Sequence, residues 1–355
     1  MRAEVAIRGA GPVGCVFALA LHASGKSVAL QGKRPSQENS RQAPLRPIAL
    51  SYASRLILER VGAWRELPAT PIETIHVSRQ GGFGRVSLGA ADAGVPALGY
   101  VVDYGELLNC LYSGVEASGI RIESEPEDAL LVVHAEGTSN ALQEKNYGQE
   151  AVVALVTASP AAARTAWERF TPEGPLALLP LGGRYCTVWG MRPERAQALC
   201  DAPEAEFLDA LSCAFGRRAG AFLAVAERGR VPLAMRVRPS RVGTREAYIG
   251  NAAQTLHPVA GQGLNLGLRD AWDLARVLRD AEDPGDARVL ARFAGMRRLD
   301  AMATIKVTDF LAGGFLGANP LTGLMRGIGL TALDICLPAR RFFARRMIYG
   351  TSALP

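Results

Sequence analysis

The sequence has few lysines, no closely spaced cysteine pairs and, outside its C-terminal segment, no clustered basic residues. Its six cysteines are scattered without CxxC spacing or a nearby second histidine. This pattern predicts neither a metal site nor a disulfide framework and fits a reducing, cytoplasmic compartment. Only four of the 40 basic residues are lysines, and the net charge of +6 is diffuse. We therefore expect no nucleic-acid partner, since such a partner requires a basic face or stripe.

Two long uncharged stretches do not have the pattern of membrane-spanning segments. Residues 247–268 contain several polar side chains and Pro258, and residues 310–325 form a short stretch interrupted by Gly313 and Pro320. We expect neither stretch to form a transmembrane helix. The 355 residues instead allow about two structural units with a substantial apolar core.

Residues 5–30 follow the order of a nucleotide-binding βαβ unit. An apolar strand is followed by Gly9-Ala10-Gly11-Pro12-Val13-Gly14, a helical run and a second apolar strand. Gly9 permits the tight turn, Gly11 lets the backbone approach a pyrophosphate, and Gly14 allows close helix packing. We predict a dinucleotide site with its phosphates at the helix N-terminus. The alternative is a glycine-rich turn with a structural role only.

A second glycine-rich segment follows an apolar strand near residue 250. A stripe of leucines and alanines then indicates a long helix that begins near Gly261. A polar, glycine-flanked turn at a helix start offers free backbone N–H groups to an anionic or carbonyl edge of a ligand. A flavin has such an edge.

The residues from Gly250 to Asp270 resemble the second FAD signature of the flavin-dependent aromatic hydroxylases. Four other stretches agree with that family and occur in its order: Arg46–Ser51, Leu98–Val102, Trp167–Leu176 and Pro232–Ala234. The similarity runs nearly end to end and is greatest to the ubiquinone-biosynthesis hydroxylases. Asn251 and the Glu-Arg-Phe-Thr stretch point to the 2-polyprenyl-6-methoxyphenol hydroxylase branch.

This resemblance implies an α/β fold of the p-hydroxybenzoate hydroxylase type. A Rossmann-like FAD-binding domain would comprise residues 1–70, 97–140 and 240–300. An interleaved antiparallel substrate sheet would comprise residues 71–96 and 141–239, and C-terminal helices residues 301–355. Alternating apolar runs at residues 72–77, 176–181 and 185–189 predict strands of the substrate sheet.

The resemblance also implies FAD as cofactor and NAD(P)H as reductant. The implied FAD contacts are Gly9, Gly11, Pro12 and Gly14 at the pyrophosphate, Gln31 at the adenosine ribose, Glu136 in the middle motif, Gly250 and Asn251 near the ribityl chain or pyrophosphate, and Pro258, Gly261, Gln262 and Gly263 beside the isoalloxazine. Arg46, His257 and Pro258 are the candidate catalytic residues. For Arg46 the alternative is a solvated loop arginine, and for His257 a structural histidine.

Three features depart from the family pattern. Gln31 stands where an acidic residue normally binds the ribose hydroxyls, and Glu136 is one methylene longer than the usual Asp of the middle motif. The chain is also shortened near residues 122–129, where relatives have an additional β-hairpin. Together these features predict loosely bound FAD.

The implied reaction is hydroxylation of a polyprenylated phenol in ubiquinone biosynthesis. NAD(P)H would reduce FAD, dioxygen would form a flavin hydroperoxide, and the phenol ring would attack its distal oxygen while the protein excludes water. The alternative is a catalytically weak or inactive member that acts as a scaffold in a quinone-biosynthesis complex. A third interpretation, an NAD-dependent reductase, leaves the segment from Gly250 to Asp270 unexplained.

Residues 337–349 mix four arginines with aromatic residues at helical spacing. This pattern predicts a C-terminal helix that packs its aromatic face on the core. The alternative is a membrane-surface contact, which would suit an enzyme with a polyprenylated substrate and would place a cytoplasmic protein at the inner face of the membrane.

Overall fold

The computed structural model describes residues 3–32, 46–123, 128–137, 143–161, 163–257, 259–314 and 320–350. The described strands are β1 (Val5–Arg8), β2 (Val28–Gln31), β3 (Pro47–Ser51), β4 (Ala69–Ile72), β5 (Thr74–Arg79), β6 (Arg85–Gly89), β7 (Gly99–Asp103), β8 (Arg121–Glu123), β9 (Leu131–His134), β10 (Gln143–Ser159), β11 (Thr165–Phe170), β12 (Pro175–Leu181), β13 (Arg184–Met191), β14 (Ala221–Val237), β15 (Val242–Gly243), β16 (Glu246–Tyr248) and β17 (Gln254–Thr255). The described helices are α1 (Pro12–His22), α2 (Tyr52–Arg60), α3 (Ala90–Ala93), α4 (Tyr104–Ser118), α5 (Pro193–Asp201), α6 (Glu204–Phe215), α7 (Gln262–Leu278), α8 (Ala287–Gly314), α9 (Pro320–Ile335) and α10 (Leu337–Tyr349).

A six-stranded, mainly parallel sheet carries the first glycine turn. Its strand order is β15-β16-β9-β1-β2-β8, and β1 pairs in parallel with both β2 and β9. Val5, Ala6 and Ile7 are completely buried because helices cover a parallel sheet on its faces, which is why β1 is a continuous apolar run. The predicted βαβ unit is confirmed.

An eight-stranded, mainly antiparallel sheet forms the second layer, in the order β17-β14-β10-β13-β12-β11-β5-β6. The predicted strands at residues 176–181 and 185–189 are confirmed as β12 and β13. The predicted run at residues 72–77 is divided after Ile72 between β4 and β5, and β5 pairs with β11 in parallel. One face of this sheet packs on α5 and α6 through residues such as Trp189, Leu211 and Phe215.

The other face of the large sheet meets a three-stranded sheet of order β3-β7-β4 and the C-terminal helices. The α/β architecture with two interleaved sheet layers agrees with the fold predicted from the sequence. The predicted domain boundaries stay a prediction.

A network of buried charges joins α7 to α8. Arg297 is 0% exposed, and its guanidinium contacts the carboxylates of Asp270 at 2.7 Å, Asp273 at 2.8 Å and Asp300 at 2.6 Å. Arg269 donates to Asp300 at 2.9 Å. Each of these three carboxylates has an arginine partner, which offsets part of the cost of burying the charges.

The predicted C-terminal helix is confirmed as α10. Ala344 and Ile348 are buried, and Phe343 packs in the same cluster, whereas Phe342 is 72% exposed. Thus only part of the aromatic surface of the helix faces the core. In the described part of the chain, no helix is long and apolar enough to cross a membrane.

Candidate active site

The first glycine turn is closed against the segment that follows β9. Gly9 has a φ of +105°, and a Cβ atom at this position would clash with the backbone of Glu136. A Cβ atom on Gly14 would clash with the carbonyl oxygen of Gly9. Both positions therefore require glycine for packing. The predicted middle-motif residue, Glu136, lies directly against this turn.

Gly11, in contrast, borders open space. A Cβ atom on Gly11 would approach only the Tyr104 hydroxyl, at 3.9 Å. Gly11 is also the N-cap of α1, where Pro12 follows and no side chain of the described residues caps the helix. The helix N-terminus thus combines uncapped backbone donors with room for an anion.

Arg46 lies beside this open space. Its guanidinium carbon is 4.7 Å from the centroid of the Tyr104 ring, and its backbone N–H donates to Asp103 at 3.0 Å. Tyr104 links Arg46 to Gly11, because its hydroxyl is the group that Gly11 faces. Arg46 and the N-terminus of α1 thus contact the same tyrosine.

Glu136 and Gln31 flank the same turn. His134 Nδ1 and Glu136 Oε1 are 2.9 Å apart. Partial burial opposes ionisation of Glu136, but the His134 hydrogen bond and the charge of Arg8 outweigh it and lower the Glu136 pKa. The backbone carbonyl of Gln31 accepts from Gly9 N at 3.1 Å.

The shortened region adjoins Gln31. Glu123, the last residue of β8, is in register with Gln31, and β8 is the edge strand of the six-stranded sheet. Ile122 of this strand is 38% exposed. Residues 124–127, in the middle of the predicted deletion, lie outside the described residues.

The second glycine segment packs directly on α1. Gly250 has a φ of +59°, and a Cβ atom there would lie 3.1 Å from Val13 of α1. A Cβ atom on Gly267 of α7 would lie 2.8 Å from Val13 and 3.0 Å from the Gly250 Cα. These small residues let α7 approach α1. The exposed Asn251 follows Gly250 in a short 3-10 helix.

The N-terminus of α7 is a second uncapped helix start. Gly261 is its N-cap with a φ of 59°, and no described side chain caps it. Gln262 is buried, whereas a Cβ atom on Gly263 would meet nothing within 4 Å. Gly263 therefore leaves room for a ligand beside the helix start. Pro258 lies outside the described residues.

Asn265 fixes this helix start against β3. Its side-chain oxygen accepts from Ser51 N and from Ser54 Oγ, each at 2.7 Å. Its side-chain nitrogen donates to Ala49 O at 2.9 Å and to Gly261 O at 2.7 Å. The sequence predicts no role for Asn265, because the spacing of residues along α7 does not show that its partners come from another segment.

His257 is buried next to α7, with 1% of its surface exposed. Its Nδ1 accepts from Val259 N at 3.1 Å, so Nε2 carries the proton. That Nε2 has no hydrogen-bond partner among the described residues. Burial lowers the His257 pKa to about 4, and the ring is therefore neutral near pH 7. Within the described part of the chain, this ring is a hydrogen-bond donor without an acceptor.

An apolar cavity of about 180 Å³ lies between the large sheet, the start of α7 and the C-terminal helices. Aliphatic side chains from β5, β6, α9 and α10 form most of its wall, while Ser51, Gln262 and Asn265 add polar groups. Neither Arg46 nor His257 is among its lining residues.

Glu168 of β11 is the one ionisable side chain that the described residues contribute to this cavity wall. Its Oε1 atom is inaccessible and has no hydrogen-bond partner among them. In the sequence, Glu168 stands out only as part of the stretch Trp167–Leu176 that resembles the family. The alternation of β11 could have placed it on the cavity face, but the face itself is decided by tertiary packing.

The two glycine segments and the middle motif therefore meet around α1 and the start of α7. Three observations on the described residues test their fit to FAD: two helix N-termini that none of their side chains caps, open space at Gly11 and Gly263, and a His257 Nε2–H for which they offer no acceptor. An extended ligand with anionic and carbonyl groups matches all three. The residues present fit the cofactor.

Comparisons with known proteins agree with this fit. The family model described as "FAD binding domain" matches residues 130–308. "Ubiquinone hydroxylase UbiL" of Rhodospirillum rubrum is 30% identical over 99% of this chain and 90% of that protein. "3-demethoxyubiquinol 3-hydroxylase" of Escherichia coli is 29% identical over 93% of this chain and 94% of that protein.

Solved structures share the fold. The crystal structure of p-nitrophenol 4-monooxygenase PnpA from Pseudomonas putida covers 99% of each chain with a TM-score of 0.77 and 17% sequence identity. At this identity the similarity concerns the architecture alone.

Proposed function

The chain belongs to the FAD binding domain family of flavin-dependent aromatic-ring monooxygenases, and we propose that it hydroxylates the ring of a polyprenylated phenol in ubiquinone biosynthesis. The observation that carries this proposal is the apolar cavity next to the uncapped N-terminus of α7. The printed names of the two hydroxylase relatives support the choice of substrate class.

The residues around α1 and α7 would hold FAD at its two ends. The α1 N-terminus with Gly11 and Arg46 would bind the pyrophosphate, and Gln31 the adenosine ribose. The α7 N-terminus at Gly261–Gly263 would lie beside the isoalloxazine, with His257 Nε2–H as a nearby donor. When bound, FAD accepts electrons from NAD(P)H and activates dioxygen.

The cavity wall would hold the substrate ring and exclude water. Its volume of about 180 Å³ is below the roughly 300–1,000 Å³ of sites for drug-sized ligands, so it suits a ring with small substituents. A polyprenyl chain would have to leave between the C-terminal helices, where Leu330, Phe343 and Met347 line the cavity.

We also propose that FAD is held loosely. Gln31 offers no charge to the ribose hydroxyls, the Glu136 side chain is 45% exposed, and β8 leaves the sheet edge next to Gln31 accessible. These features weaken the adenosine side of the site. They leave the α7 side, where the chemistry would occur, intact.

The scaffold alternative is not favoured. A scaffold would require neither the open space at Gly11 and Gly263 nor a cavity beside α7. An NAD-dependent reductase that uses the first glycine turn alone is not favoured either, because the family similarity includes the second segment.

A membrane contact of the C-terminal helices belongs to the same proposal. Ile335 is 78% and Phe342 72% exposed, and the exposed Arg341 lies beside Phe342. An apolar surface flanked by arginine suits an anionic lipid surface. We expect I335S/F342S to bind anionic vesicles less than the wild type. L299S, which replaces a 67% exposed leucine of α8, is the matched control. Unchanged binding of I335S/F342S would contradict the contact.

The proposed activity is tested with FAD-loaded protein, NADH or NADPH, dioxygen and a 2-polyprenylphenol. We expect the phenol to stimulate NAD(P)H oxidation and mass spectrometry to detect a product with one added oxygen atom. If the protein binds flavin but forms no oxygenated product, the scaffold alternative replaces this proposal.

A further inference from the structure

The described residues contribute one ionisable group to the cavity wall, Glu168, and its position on β11 explains why it faces the cavity. Glu168 is in register with Val77 of β5 and Ala177 of β12. Its neighbours on the strand point the other way: Trp167 packs on Phe215 of α6, and Arg169 donates to Ala214 O at 3.0 Å. Strand alternation therefore directs Glu168 toward the cavity, on the same face as Ala166 and Phe170.

No described group compensates for the burial of this carboxyl. The elements packed against it present Ile75 and Val77 from β5, Leu330 and Leu333 from α9, Phe343, Ala344, Met347 and Ile348 from α10, and the uncharged Gln262 and Asn265 from α7. None of these side chains is charged or titratable. An unpaired acid in an apolar site is costly for folding, so its presence calls for a chemical explanation.

We propose that Glu168 accepts the hydroxyl proton of a neutral phenol that binds in this cavity. The inference rests on the proposed function and deepens it. The phenol O–H bond breaks, its electron pair stays on the phenol oxygen, and the proton moves to a carboxylate oxygen of Glu168. The ring becomes more electron-rich and hence more reactive toward an electrophilic oxygen. When product forms, the proton returns to the phenol oxygen, and Glu168 is again a carboxylate.

The acidity of the group suits this role. Burial raises the pKa of Glu168 to about 7. A carboxylate with such a pKa is a stronger base than an exposed one and is still ionised in about half of the molecules near pH 7. Glu168 lines the cavity, its side chain is only partly covered, and its inaccessible Oε1 has no hydrogen-bond partner among the described residues, so the carboxyl retains hydrogen-bonding capacity for a substrate hydroxyl.

The same geometry defines the substrate class. The described cavity wall contains no cation, so a substrate with its own carboxylate would place two unpaired negative charges in an apolar space. We therefore expect the site to accept neutral phenols with apolar substituents and to reject carboxylated ones such as 4-hydroxybenzoate.

The experiment compares the FAD-loaded wild type with E168Q, E168D and the control E173Q. Glu173 lies in the turn after β11, where its partly exposed side chain pairs with Arg195 at 3.1 Å. Product formation from 4-methylphenol is measured from pH 5.5 to 8.5, and calorimetry gives the dissociation constant of the same phenol. Turnover of 4-hydroxybenzoate is measured in parallel.

For the wild type and E173Q, we expect kcat to rise with pH around a midpoint near 7. E168Q should bind 4-methylphenol with a similar dissociation constant, lose about 10²-fold to 10⁴-fold in kcat, and lose this pH dependence. E168D should recover part of the lost kcat and part of its pH dependence. The wild type should not turn over 4-hydroxybenzoate.

Wild-type kcat and pH profile in E168Q would overturn the inference while leaving the proposed function in place. Equal loss of binding and rate, with an unchanged pH profile, would also overturn it, since Glu168 would then only shape the cavity. An FAD-loaded wild type that hydroxylates no phenol would refute the proposed function, and this inference with it.

Discussion

Two regions of the molecule bury carboxylates in opposite ways. In the network between α7 and α8, Asp270 is completely buried and contacts both Arg241 and Arg297. Burial opposes its ionisation, but these arginines outweigh burial and lower the Asp270 pKa. In the cavity, Glu168 has no such partner among the residues that the structure describes, and burial raises its pKa to about 7. One carboxylate stays charged to hold helices together, and the other is ready to exchange a proton.

The difference shows that the burial of a carboxylate does not by itself indicate a functional group. A buried charge whose partners are all protein groups is explained by packing, whereas one without a partner points to a ligand. Both regions lie on or next to α7, so a single helix carries the structural network along its length and the candidate site at its N-terminus.

The largest expected effect comes from breaking the network. R297M removes the cation shared by three buried carboxylates and should destabilise the protein by about 3–5 kcal/mol. R195M, which removes a surface ion pair with Glu173, should change the free energy of unfolding by about 1 kcal/mol or less. Urea denaturation measures both. Equal effects would show that the network is not specially important.

E168Q should change the free energy of unfolding in the opposite direction from R297M. The Glu168 pKa is about 7 in the folded protein and 4.5 ordinarily, so the folded state binds more protons between these values. Wild-type stability therefore falls as pH rises from about 4.5 to about 7 and then levels off. E168Q removes this loss and should be more stable at pH 8 by up to about 3 kcal/mol, with little difference at pH 4. E173Q is the control. Destabilisation by E168Q at pH 8 would indicate a hidden partner for the carboxylate.

N265A tests a case between the paired and the unpaired carboxylate. Asn265 is uncharged, and its side chain forms four hydrogen bonds to protein atoms. Its loss leaves Ser51 N and Ser54 Oγ without their acceptor and should destabilise the protein by about 2 kcal/mol. It should also release the start of α7 and weaken FAD binding. Thermal unfolding and retained flavin give the two readouts, and full flavin retention would separate Asn265 from the site.

The smallest effect on stability should come from G11A. The added methyl group meets only the Tyr104 hydroxyl at 3.9 Å, so the free energy of unfolding should change by about 1 kcal/mol or less. The methyl group would nevertheless occupy the space predicted for the pyrophosphate and should reduce FAD retention. G9A is the contrasting variant, since it clashes with Glu136 and should destabilise the fold itself. Normal FAD binding by G11A would refute this placement of the phosphates.

Local sequence patterns were sufficient for much of the fold. The glycine turn, the βαβ unit and the start of α7 follow from glycine spacing and apolar periodicity over short stretches. The division of the run at residues 72–77 and the parallel β5–β11 pairing did not follow, because they depend on contacts between distant segments.

For the same reason, the candidate site could be predicted from the sequence only in part. The spacing of Gly9, Gly11 and Gly14 is itself enough to predict a glycine turn. Glu168 can be recognised as a cavity residue only in the folded structure, where α9 and α10 complete the cavity beside β11. Arg46 was expected at the flavin or substrate entrance. The structure places its guanidinium over the Tyr104 ring and outside the cavity lining, and we propose it as a contact of the pyrophosphate.

The central claim is that FAD binds between the two helix starts and borders the cavity. The most direct measurement is the visible spectrum of the protein after incubation with FAD and gel filtration, before and after addition of 4-methylphenol. We expect the protein to retain flavin, and we expect the absorption bands of that flavin to shift when the phenol enters the cavity. Absence of flavin at saturating FAD, or a flavin spectrum indifferent to a phenol that calorimetry shows to be bound, would contradict it.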